Sequence, residues 1–179
     1  MKKTLFYACL ISIMAVSEAM AGSKPIQLSL TPDISIYGRS TRIEGLTLSI
    51  WGENPQTSLA LGLVNGSTGR SAGFSLGLLL NYADTYKGLQ LSLLNYTQSN
   101  LLGWQAGVVD YTEGSVKGLQ TGFVNYAGHL TGVQLGLVNY AAASTTGVQI
   151  GIINLLPQNR WFTRFPDELA PGMVIVNWR

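Results

Sequence analysis

Gly118-Leu119-Gln120-Thr121-Gly122-Phe123-Val124-Asn125-Tyr126 is followed, after five intervening residues, by a second version of itself, Gly132-Val133-Gln134-Leu135-Gly136-Leu137-Val138-Asn139-Tyr140. Looser copies end at Asn65, Asn81, Asn95, Asp110 and Asn154, so residues 59–154 hold seven copies. Gln90, Gln105, Gln120, Gln134 and Gln149 lie 15, 15, 14 and 15 residues apart. Five residues after each comes Asn95, Asp110, Asn125, Asn139 or Asn154. A fixed period is read before any other feature, and this one is shorter than the common solenoid repeats of about 20 to 50 residues. It is too short for a helical hairpin, and Gly, Val, Asn and Tyr are poor helix formers.

Within a copy the side chains alternate. From Ser115 onward one set is Ser115, Lys117, Leu119, Thr121, Phe123 and Asn125; the other is Val116, Gly118, Gln120, Gly122, Val124 and Tyr126. Period two is the signature of a strand. The small Gly-Gln-Gly centre of the second set lets another backbone approach closely, or lines a narrow lumen. Short segments such as Ala127-Gly128-His129 and Thr112-Glu113-Gly114 separate the copies and suit turns.

Two all-β architectures satisfy such a repeat. An unbroken nine-residue strand advances about 27 Å at roughly 3.3 Å per residue. The six residues left over span at most about 20 Å, too little to return to the start for a parallel neighbour. That geometry favours an antiparallel up-and-down meander of about nine or ten short strands, closed into a small β-barrel or barrel-like sheet. The alternative is a parallel β-solenoid of 14–16-residue coils. It requires each strand to bend at its central glycine, and it would stack identical Asn and Gln residues into ladders.

Residues 1–21 have the features of a secretory signal peptide. Lys2 and Lys3 precede an apolar core over 5–16, and Ala19-Met20-Ala21 before Gly22 is a small-x-small cleavage pattern. The single cysteine, Cys9, lies inside it, so the mature chain would have neither disulfide nor thiolate chemistry. The expected mature part, 22–179, is one β-repeat domain: repeats over about 59–154, an aromatic and proline-containing closing loop over 155–172, and a terminal strand over 173–178. Removing Lys2, Lys3 and Glu18 leaves 9 basic and 8 acidic residues with no basic patch, which argues against nucleic acid as a partner. The chain is only 11% charged, against about 25% for an ordinary globular protein. Membrane lipid or self-association is therefore the expected partner. No run of about 20 apolar residues follows the leader, so no transmembrane helix is expected.

Tyr82, Tyr96, Tyr111, Tyr126 and Tyr140 close successive copies. In a meander they would populate both rims, like the aromatic girdles of an outer-membrane barrel. Val116 to Tyr126 supplies 11 residues, enough for a spanning strand. The purely apolar row from Leu119 to Phe123, about 13 Å long, falls short of the roughly 25 Å apolar band such barrels carry.

Catalytic signals are weak. Gly73-Phe74-Ser75-Leu76-Gly77 matches the nucleophile-elbow pattern, but Ser75 occupies a glutamine slot of the repeat, and the only histidine, His129, sits in a turn. With no second histidine and no mature cysteine, a zinc site lacks ligands. Asp84, Asp110 and Glu113 lie near turns without the calcium-loop pattern. A catalytic site would have to converge from Asp33, Glu44 and the loop around Trp161 and Glu168. The expectation is a protein that is not an enzyme, with no catalytic residue, cofactor or metal. The series Gln90, Gln105, Gln120, Gln134 and Gln149 with Asn95, Asn125, Asn139 and Asn154 is either a binding row or a structural ladder, because buried amides must be paired.

At these repeats the chain resembles a family of bacterial envelope proteins of unassigned function, the leptospiral and vibrio surface-repeat proteins. Their units read Gly-hydrophobic-Gln-hydrophobic-Gly-x-Val-Asn-Tyr behind a signal peptide. Gly103-Trp104-Gln105-Ala106-Gly107 and Gly118-Leu119-Gln120-Thr121-Gly122 carry the likeness, which covers about 26–179. It implies an exported structural or surface protein, in or on the outer membrane, and brings no activity or ligand. A soluble periplasmic or secreted module, binding a glycan, lipid or protein through its Gln/Asn face, is the second expectation.

Overall fold

The computed structural model describes residues 22–179. The leader with its Cys9 lies outside the described residues. Nine strands form one sheet: β1 (Lys24–Ser29), β2 (Ile43–Asn54), β3 (Gln56–Leu91), β4 (Leu94–Thr97), β5 (Asn100–Ala106), β6 (Val109–Thr121), β7 (Val124–Leu135), β8 (Val138–Leu155) and β9 (Gly172–Trp178). From β1 to β8 every pairing is parallel. Gln105 lies beside Gln90 and Gln120, and Asn125 beside Asp110 and Asn139. The fold is therefore a β-solenoid of about eight coils, and the antiparallel meander and barrel are overturned.

The physical reason lies in the glycines. The chain does not run straight through a copy; it turns at Gly118, where φ is +139°, and again at Gly122-Phe123. Each coil becomes three short sides, here 124–127, 129–131 and 132–135, and three short sides close on themselves within about 15 residues. The loop that a straight strand would need is never required. The one 16-residue interval, between Asn65 and Asn81, places its extra residue at a bend, where Leu78 and Leu79 are both exposed.

Both ends are covered. At the first end the segment after β1 folds back: Gln27 Nε2 donates to Tyr37 O at 2.7 Å, and Asn54 Nδ2 donates to Gly38 O at 3.0 Å. At the other end β9 pairs antiparallel with β8. The closing loop crosses the last coil without forming a helix and buries Leu169 and Ala170. Glu168, 3% exposed, forms an ion pair with Arg179 and accepts the backbone N–H of Arg160. Asn177 of β9 stands over Gln149, its side chain donating to Ala170 O at 2.9 Å. Covering unpaired strand edges blocks growth by edge-to-edge addition.

Candidate functional site

Four side chains of each coil point inward, in β7 Asn125, Ala127, Leu130 and Gln134. Two of the four are amides. The apolar core among the described residues is mainly the column of Tyr86, Leu101, Val116, Leu130 and Leu156 with the alanines beside it. This arrangement inverts the usual distribution, in which glutamine and asparagine face water.

Most of the buried amides pair with one another along the stack; Gln90 Nε2, Gln149 Oε1 and Asn125 Oδ1 are left without a partner. Gln105, Gln120, Gln134 and Gln149 each donate through Nε2 to the Oε1 of the glutamine one coil earlier, at 3.0, 2.9, 2.8 and 2.8 Å. The asparagines run the other way. Asn81 Nδ2 donates forward to Asn95 Oδ1, Asn125 to Asn139 and Asn139 to Asn154, at 3.0, 2.8 and 2.8 Å. The second hydrogen of Asn125 or Asn139 goes to a backbone carbonyl, Leu135 O or Ile150 O. All five glutamines and Asn125, Asn139 and Asn154 are 0% exposed, with Asn95 at 1%. The amide series is thus an internal ladder and presents no face to a partner. Ser75 lies buried in the same column, donating to Asn81 Oδ1 at 2.9 Å. Replacing Gln120 by alanine takes from Gln134 Nε2 one of its two acceptors, leaving only Tyr140 O, and opens a hole in a close-packed column. The expected loss is about 2–4 kcal/mol, read as a lower midpoint in a urea titration followed by circular dichroism.

The asparagine ladder has one irregular rung. Asn95 Nδ2 donates to Asp110 Oδ1 at 2.8 Å, but a carboxylate has no hydrogen to pass on. Asp110 Oδ2 and Asn125 Oδ1 are both left without a donor, and both border Gly122. Burial pushes the Asp110 carboxyl up to about 6, against the opposing pull of its hydrogen bonds from Asn95 and the Thr121 backbone.

On the outside, the tyrosines do not divide between two rims as a meander would have placed them. The parallel register stacks Tyr96, Tyr111, Tyr126 and Tyr140 on one side, with ring centroids 5.8, 4.4 and 5.3 Å apart and planes within 14°. Tyr82 instead donates its hydroxyl to Glu53 at 2.6 Å and accepts from Trp51; burial, then that bond to Glu53, pushes its phenol up to about 12.

The bend after each central glycine carries an apolar residue that points to solvent. Leu93, Val108, Phe123, Leu137 and Ile152 form a ridge, 50, 39, 61, 47 and 63% exposed, held in line by backbone hydrogen bonds from coil to coil. Ile50 and Leu63 continue it toward the first end, and Ile175 of β9, beside Gly151, toward the second. The adjoining rows are apolar too: Leu94, Val109, Val124 and Val138 on the tyrosine side, Leu119, Val133 and Val148 on the other. The alternation of the sequence sets Leu119 and Phe123 opposite Val116 and Gln120 without saying which set faces out, and its phase slips at Phe123-Val124, where two consecutive residues point to solvent. Leu119 and Phe123 then face out while Val116, Gln120 and Asn125 face in.

Charged side chains gather on the remaining side. Lys87 and Lys117 lie in one outward row, with Asp84 and Glu113 near its edge. His129 is on this side, its Nε2 2.8 Å from Thr145 Oγ1 and far in the chain from Ser75. Among the described residues no group of three or more His, Cys, Asp or Glu side chains comes together, and no helix is long and apolar enough to cross a membrane. Asp33 is engaged with Arg39, while Glu168 is held in the closing cap. Asp84 and Glu113 are exposed whereas Asp110 is sealed inside, so the three do not form one site. No protein-family model, no curated protein and no solved structure matches the chain.

Proposed function

We propose that this chain is a non-catalytic structural or surface protein of the bacterial cell envelope, associated with the outer membrane. One observation carries the reading: amides fill the interior while two of the three outer sides are apolar. Water would be a poor solvent for such an exterior, because monomeric soluble proteins rarely expose large contiguous apolar patches. The export-type leader and the low charge agree with it. The second expectation, a soluble module using its Gln/Asn face, loses that face to the ladder, whose amides are inaccessible from outside.

Fractionation of cells expressing the full chain tests the proposal. The protein should sediment with outer membranes and resist extraction by high salt. Quantitative recovery as a monomer in the osmotic-shock fluid would rule out membrane residence.

A further inference from the structure

The apolar exterior has a shape as well as a composition. The ridge at Phe123 is the apex of a wedge, with one apolar side falling away through Val124 to Tyr126 and the other back through Thr121 to Leu119. About eight coils, at roughly 4.8 Å each, make the wedge nearly 40 Å long. Each side is about 13 Å wide at roughly 3.3 Å per residue, giving some 500 Å² per side and about 1,000 Å² in all. The ridge and its adjoining rows contain no charged residue.

This geometry discriminates among occupants. A stable protein interface needs about 800 Å² from each partner. A second copy lying flat on one side of the wedge would cover about 500 Å² and leave the other side in water. Lipid has no fixed shape and covers both sides of an apex together. The boundary residues also fit an interface between hydrocarbon and water. The stacked tyrosines line one border, where Tyr96 donates its hydroxyl to Glu113 at 2.7 Å on the charged side. Trp104 marks the other, its indole N–H donating to Thr121 Oγ1 at 2.8 Å. Aromatic rings with one polar atom concentrate at that depth of a bilayer.

We infer that the solenoid lies lengthwise on a phospholipid bilayer, with the Phe123 ridge and its two flanking sides sunk into the interfacial layer and the Lys87–Lys117 side in water. The chain thus lies on the membrane and does not span it, as an amphipathic helix does. The inference rests on the envelope reading above, and adds the surface and the orientation.

The test uses purified protein and vesicles of phosphatidylcholine alone, so that no net headgroup charge assists. Single-cysteine variants Phe123→Cys and Thr131→Cys, in a Cys9→Ser background, carry an environment-sensitive fluorophore. The label at position 123 should shift to the blue on adding vesicles and be quenched by nitroxide lipids, while that at 131 should do neither. Flotation with vesicles should persist in high salt. Phe123→Asp with Leu137→Asp should weaken it at least about tenfold, since charge at the apolar boundary opposes insertion. Thr131→Asp should leave it unchanged. Both substituted positions are exposed, so circular dichroism should match the parent. Equal behaviour of the two labels, or a defined oligomer burying position 123 in lipid-free buffer, would overturn the inference. Vesicle binding by a protein that fractionates as soluble would overturn only the cellular address. Outer-membrane residence without vesicle binding would overturn the lipid surface and leave the address standing.

Discussion

Replacing Gly118 by alanine is expected to destroy the folded state or to weaken it by about 4 kcal/mol or more. Two causes act together. At φ +139° the backbone occupies a region nearly closed to residues with a Cβ. The added carbon would also lie 2.0 Å from the carbonyl oxygen of Gly103 in the coil below. That neighbour is backbone, locked in a parallel ladder, and has no rotamer to escape into. Gly132 meets Gly118 O at the same 2.0 Å, so the clash recurs along the column. Solenoid stability is a sum over coils and their interfaces, so a defect in the middle disrupts both neighbours. At this chain length 4 kcal/mol corresponds to a fall in Tm of roughly 8–16 °C. Gly38→Ala is the control: a carbon there meets nothing within 4 Å and should change stability by less than about 0.5 kcal/mol. A Gly118→Ala protein melting with the parent would show that the coils do not turn where the geometry requires.

Asp110→Asn is expected to stabilise the protein at pH 7 by about 3 kcal/mol. The asparagine supplies the missing donor: its Nδ2 takes the place of the unpaired Asp110 Oδ2 and can donate to the unpaired Asn125 Oδ1, so the rung from position 110 to Asn125 closes. The same site makes the parent sensitive to pH, with a sign opposite to the usual acidic residue. Burial raises the folded-state pKa from 3.8 to about 6. Between those values the folded chain keeps a proton that the unfolded chain has lost. Stability from this group is fully present below about pH 4, falls by about 1.4 kcal/mol per unit as pH rises toward 6, and is flat above it. The groups facing Asp110 are the amides of Asn95 and Asn125, the Thr121 backbone and the Gln ladder opposite, none of which titrates in this range. Protonated Asp110 can donate from Oδ2 to Asn125 Oδ1, completing the ladder as an asparagine would. Urea titrations at pH 4 and pH 7 should show the parent more stable in acid and the variant free of this component. A parent whose midpoint rises from pH 4 to pH 7 as steeply as that of the variant would refute the account.

How much was legible beforehand follows from particular residues. The period of 14 or 15 residues could be read from the spacing of Gln90 through Gln149, and the extended conformation from the alternation within each copy. Those amides could form a binding row or a ladder on sequence grounds; in the structure they are buried and hydrogen-bonded from coil to coil. The proline-containing segment expected to close the sheet forms no helix, and Leu169 and Ala170 within it are buried. The irregular rung was visible only as an aspartate in an asparagine slot. Its unpaired oxygens appear once Asn125 is placed beside it.

The linear order of residues determined that each unit is extended, that it repeats, and that it carries few charges. It could not decide whether neighbouring units run parallel or antiparallel, because alternation is identical in both. That choice was made by bends at Gly118 and Gly122, which only a closed coil reveals. Alternation separates Gln120 from Phe123, but the tertiary structure alone turns Gln120 inward to its ladder and Phe123 outward to the ridge, and the slip of phase at Phe123-Val124 brings Asn125 inside as well.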